Sequence, residues 1–125
     1  MNSLRLFVFA CALAARASSA WADGDPASGR ALYQARCAAC HSADYNGVGP
    51  AHRGVFGRAA GKAPGFAYSP ALKASGLVWN DTTLDQWLAD PEKLVPGQRM
   101  GVNVPEARER ADLIAFLKQI LAKKE

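Results

Sequence analysis

The clearest apolar rhythm lies near the C-terminal end, in PEARERADLIAFLKQILAKKE. Leu113, Ile114, Phe116, Leu117, Ile120 and Leu121 gather on one broad face there, the pattern of an amphipathic helix. Pro105 suits its first turn, Glu106 and Glu109 its positive end, and Lys123 and Lys124 its negative end. A shorter version puts Leu84, Trp87 and Leu88 on one side of DTTLDQWLADP, with Asp81 or Thr82 as the cap and Pro91 as the limit. A third helix is predicted over DPASGRALYQARCAACH, with Asp25 as N-cap, Pro26 in the first turn, and Leu32 and Tyr33 on its apolar side. Gly29 inside it costs up to about 1 kcal/mol against alanine, which a close helix crossing would explain. No alternating pattern predicts a strand, so the chain reads as all-α.

Between these helices the rhythm fails. From Asn46 to Gly76 the chain is punctuated by Gly47, Gly49, Pro50, Gly54, Gly57, Gly61, Pro64, Gly65, Pro70 and Gly76. A short helix near Pro70 to Ala74 is the most that fits there. A loop of that length in a small domain implies that it wraps something. Val48, Val55, Phe56, Phe66, Leu72, Leu77, Val78 and Trp79, on and just after it, need a surface to pack on.

The N-terminal apolar run has another meaning. Arg5 precedes Leu6 to Ala15, Arg16 interrupts the run, and Ala20-Trp21-Ala22 forms a small-x-small site. This predicts a secretory signal peptide over residues 1–22, cleaved after Ala22, and a single domain over residues 23–125. The run is short of the roughly 18–20 apolar residues of a membrane span, so an anchored form is the minor alternative. Removing Arg5 and Arg16 lowers the formal charge from +4 to +2, which argues against a nucleic-acid partner. Only Cys37 and Cys40 remain after cleavage, too close in sequence for a disulfide between them to stabilise much.

RCAACHSAD, residues 36–44, carries the chemistry. Cys37 and Cys40 are followed at once by His41. A thioredoxin-like switch needs the pair at the start of a helix in a βαβ pattern, which is missing here. A structural zinc site needs two more ligands, and beyond His41 only His52 is a strong nitrogen donor. Cys-x-x-Cys-His is the attachment sequence of c-type haem, its two thiols placed for thioethers and its imidazole for the iron. Met100, in VPGQRMGV between two helices, is the soft donor available for the sixth position. Its ordinary alternative is a gap-filling methionine. His52 is the rival sixth ligand; otherwise it is a packed or edge histidine.

On these motifs the chain resembles the class I c-type cytochromes of the mitochondrial cytochrome c and bacterial cytochrome c2 group. GRALYQARCAACH, VGPAHRGVFGRAAG, GFAYSPALKASGLVW, DQWLADPEKLVPGQRM and ERADLIAFLK follow one another in the family's order. The resemblance implies a cytochrome c fold: three main helices with long loops wrapped around one haem, covalently held through Cys37 and Cys40. It implies His41 and Met100 as the iron ligands, with the Pro50 carbonyl accepting from His41. Arg58, Tyr68, Ser69 and Trp79 would donate to the haem propionates, and Gly29 and Tyr33 would cross the last helix near Leu113 and Phe116. The implied function is a soluble periplasmic one-electron carrier between membrane or periplasmic oxidoreductases, monomeric, with no small-molecule substrate.

The chain departs from the family at several places. Leucine is usual where His52 stands, tyrosine where Trp87 stands and an aromatic where Val102 stands, and the Met100 loop is one residue short. Lysines of the docking face are thin, leaving Lys62, Lys73, Lys93 and Arg99. Two rivals follow: a small haem enzyme such as a peroxidase would need an open iron, and a gas or redox sensor would need a labile sixth ligand.

Overall fold

The computed structural model describes residues 23–121. The predicted leader and Lys123 and Lys124 lie outside them. The described residues form five helices in order: α1 (Pro26–Arg36), α2 (Pro70–Lys73), α3 (Asp81–Ala89), α4 (Pro91–Leu94) and α5 (Ala107–Gln119). Three are the main helices expected; α2 and α4 are single turns. The described residues contain no strand beyond one isolated bridge between Ala59 and Val78.

Local chemistry sets the ends. Asp25 caps α1, its carboxylate accepting from the amides of Ala27 and Ser28 at 3.2 and 3.1 Å. The Ser28 hydroxyl and these amides hold its pKa below the ordinary carboxylate value. The helix stops at Arg36 and does not run on to His41 as expected; Cys37 is its C-cap and the anchor continues as a turn. The cap of α3 is Asn80, not Asp81 or Thr82. Asn80 accepts from the Thr83 amide while the Thr83 hydroxyl accepts from the Asn80 amide, both at 2.9 Å. Pro91 both limits α3 and starts α4, with Asp90 capping the latter through the Lys93 amide. α5 starts at Ala107, two residues later than Pro105 suggested.

The frame is the crossing of α1 and α5. A β-carbon on Gly29 would fall 1.9 Å from the Asp112 carbonyl oxygen, so only glycine permits this approach. Tyr33 then lies 5.1 Å, centroid to centroid, from Phe116, as the crossing implied. Arg36 pairs with Glu109 across it. Arg110 ties α5 to α3 through Asp85 at 2.6 Å, and Lys118 does so through Asp81. Leu113 and Val104 are the most deeply buried large side chains.

The long loop is ordered by the rest of the chain. Backbone bonds run from Gly54 to Ile120, from Gly57 to Trp79 and from Ala60 to Leu77. The Asn46 side chain pins two points by donating to the Pro64 carbonyl and accepting from the Ala51 amide. The loop thus closes over one side of the helical frame.

Candidate functional site

Loop, α1, α3 and α5 enclose a mostly apolar cavity of about 330 Å³. Cys37, Cys40, His41, Pro50, Arg58, Tyr68, Ser69, Trp79 and Met100 all line it. Of the apolar residues that lacked a packing surface, Val48, Val55, Phe66, Leu72 and Trp79 line it too. Val78 is instead exposed, and Phe56 lies under the Lys118 ammonium, 5.0 Å from its ring centroid.

Cys37 and Cys40 are free thiols in the turn after α1. In that turn the backbone amides of Cys40 and His41 donate hydrogen bonds to the Cys37 carbonyl, at 3.0 and 2.8 Å. It follows the end of a helix, the opposite of a thioredoxin arrangement. Burial pushes the Cys37 thiol up, against the pull of the Arg36 guanidinium. Among the described residues no three His, Cys, Asp or Glu side chains converge as a metal-holding group.

His41 is prepared as a ligand. Its Nδ1 lies 2.8 Å from the Pro50 carbonyl oxygen. A carbonyl can only accept, so Nδ1 carries the proton and Nε2 keeps its lone pair. Burial lowers the pKa, partly offset by that hydrogen bond, and so favours the neutral ring. Gly49 supplies room: a β-carbon there would sit 2.2 Å from the imidazole Cε1. The sequence names Gly49 only as punctuation; nothing in it shows the contact.

His52 stacks on His41, with ring centroids 3.9 Å apart and planes 18° apart. The structure thus places His52 as a packed ring against His41. Tyr33 and His52 Nδ1 share a hydrogen bond of 3.0 Å. Burial, then the neighbouring His41 and Arg58, bring the His52 pKa down to about 3.

Met100 is half-buried in the loop after α4. That loop is braced from α4: Glu92 accepts from the Gly97 amide at 2.9 Å and the Gln98 side-chain amide at 3.1 Å. Gln98 Oε1 in turn accepts from the Met100 amide. Glu92 and Gln98 were not singled out in the sequence, because the contacts depend on the fold of the loop. Trp87 packs against Trp79, ring centroids 5.3 Å apart, and lines the same cavity as Met100.

Arg58 donates from its two terminal nitrogens to the Arg53 and Ala51 carbonyls, at 3.2 and 3.1 Å. Its Nε is buried with no partner. A buried orphan donor in a cavity wall calls for an acceptor. Tyr68 accepts from the Ala63 amide, and Ser69 accepts from the Leu72 amide as the cap of α2. Each hydroxyl therefore does local work and keeps its own proton free to donate. Free thiols, a lone-pair imidazole, an orphan guanidinium nitrogen and an apolar wall fit a covalently held haem bearing carboxylates.

Residues 26–121 match the family model described as Cytochrome c. The chain is 46% identical over 105 residues to cytochrome c of Chlamydomonas reinhardtii, covering 79% of this chain and 92% of that one. It is 41% identical over 121 residues to cytochrome c2 of Rhodomicrobium vannielii, covering 94% and 95%. Among solved structures, cytochrome cH from Methylobacterium extorquens superposes with a TM-score of 0.74 at 48% identity, over 77% of this chain and 99% of that one.

Proposed function

The chain belongs to the cytochrome c family, and from that premise we propose that it is a soluble periplasmic one-electron carrier whose iron lies between His41 and Met100. Family membership makes it a haem c electron carrier rather than an enzyme, with the haem bound covalently through its Cys-x-x-Cys-His sequence. When bound, the haem supplies an iron that takes up and returns one electron.

The protein's own part is to hold that group still and dry. The observation that carries the reading is the convergence of all nine expected residues around one cavity. Cys37 and Cys40 fix the group, and Pro50 holds the His41 tautomer and raises its basicity. Met100 offers a thioether, a donor that favours ferrous iron and raises the potential. Arg58, with Tyr68, Ser69 and Trp79, receives the propionates, offsetting the cost of burying carboxylates. Fixed ligands and an apolar wall keep reorganisation small between oxidation states.

Residues 1–22 form the leader, cut after Ala22, and residues 23–125 the domain. The charged start and apolar run support this. No described helix is long and apolar enough to cross a membrane. Partners are redox proteins, membrane or periplasmic oxidoreductases, met by a monomer. The test is acid–acetone extraction of protein matured in a bacterial periplasm, with the N-terminus read by mass spectrometry. Colour retained on a chain starting at Asp23 supports the reading. Extractable haem refutes the covalent link, and an intact N-terminus refutes the cleavage.

A further inference from the structure

We propose that His52 is a positioning residue for His41: its flat ring, anchored by Tyr33, sets the rotation of the imidazole plane beneath the haem iron. This rests on the reading of His41 as proximal ligand. One hydrogen bond to Pro50 holds His41 at Nδ1, but carbonyl acceptors tolerate a broad spread of directions. A second ring stacked at 3.9 Å and 18° removes that freedom, since tilting His41 would drive it into His52.

His52 is itself held at two points. Its amide donates to the Ser42 carbonyl at 2.8 Å, and its Nδ1 shares the 3.0 Å bond with the Tyr33 hydroxyl. Tyr33 is buried against Phe116 on the α1–α5 crossing that Gly29 makes possible. The frame of the protein thus reaches the ligand plane through two side chains. Leucine at this position would fill similar space but offer neither a flat face nor a partner for Tyr33.

Two measurable properties follow. The imidazole plane decides how unpaired spin spreads over a low-spin ferric haem, which the order and spacing of the haem-methyl proton resonances report. A polar ring beside the ligand also favours the more positive ferric state, so an apolar replacement raises the midpoint potential.

The experiment compares covalently loaded native protein with His52→Leu, His52→Phe and Tyr33→Phe, by proton resonance of the ferric form, potentiometry and thermal melting. His52→Leu should reorder or respace the methyl resonances and raise the potential. His52→Phe, which keeps a flat ring, should return the methyl order toward native. Tyr33→Phe should move the resonances in the sense of His52→Leu but less, and it keeps the test available if His52→Leu folds poorly. Methyl patterns that superimpose on native in both His52→Leu and Tyr33→Phe overturn the proposal, as does His52→Phe behaving like His52→Leu. A native spectrum without proximal-histidine resonances would instead overturn the ligand reading on which the proposal rests.

Discussion

Gly29 approaches Asp112 so closely that the two helices touch backbone to backbone: a β-carbon would come within 1.9 Å of the Asp112 carbonyl oxygen and 2.9 Å of the Phe116 β-carbon. A backbone atom cannot swing aside as a side chain does. Gly29→Ala should therefore cost at least the upper part of the about 1–3 kcal/mol typical of overpacking. Denaturant unfolding of the loaded protein measures this. Stability equal to native would mean that α1 and α5 cross more loosely than described.

The brace under Met100 makes a second expectation. Glu92 holds Gln98, and Gln98 accepts from the Met100 amide. Gln98→Ala removes both hydrogen bonds; the exposed one to Glu92 contributes little, and the part-buried one on the Met100 amide holds the closed loop by about 1 kcal/mol. Imidazole or cyanide should then bind ferric iron roughly fivefold more readily. An unchanged binding constant would show that the loop is held by its packing alone.

Tyr33 sets a pH limit. Burial raises its pKa to about 12, with a smaller push from Cys37. The buried, protonated phenol favours the folded state fully below about pH 10, the ordinary tyrosine value, and that contribution fades as pH rises toward 12. Native protein should lose stability more steeply over that window than Tyr33→Phe. Parallel curves would place the alkaline weakness elsewhere.

Much of this was legible from residue order. The anchor, the crossing at Gly29 and the apolar face of α5 each have a local signature in the sequence. Helix ends were less so. Asn80, Asp81 and Thr82 are all good caps, and only the reciprocal bond with Thr83 selects Asn80. Pro91 reads equally as a stop or a start, and the structure uses it as both. The α1 pattern could not show that Cys37 ends the helix, because anchor geometry depends on the turn that follows. Gly49 beneath His41, the His52 stack and the Glu92–Gln98 brace are contacts between segments, on which local pattern is silent.

Docking should be electrostatic but shallowly so. Arg99 is exposed and lines the cavity mouth, and Lys93 lies on α4 nearby in sequence. Local charge steers encounter even when net charge is small, and salt screens it over about 8 Å at physiological ionic strength. Electron transfer with an acidic redox partner should slow as salt is added, and Arg99→Glu with Lys93→Glu should slow association with little change in potential. A rate that rises with salt, or ignores both replacements, would put the docking surface elsewhere.

The central claim is the ligand pair, and the weak far-red band of ferric iron bound to methionine sulfur tests it most directly. The native protein should show the band, and His52→Ala should retain it, because that ring lies flat against His41. Met100→Ala should lose it, lower the potential and open the iron to carbon monoxide or cyanide. A band that survives Met100→Ala, or a ligand spectrum that changes its identity in His52→Ala, would contradict the account.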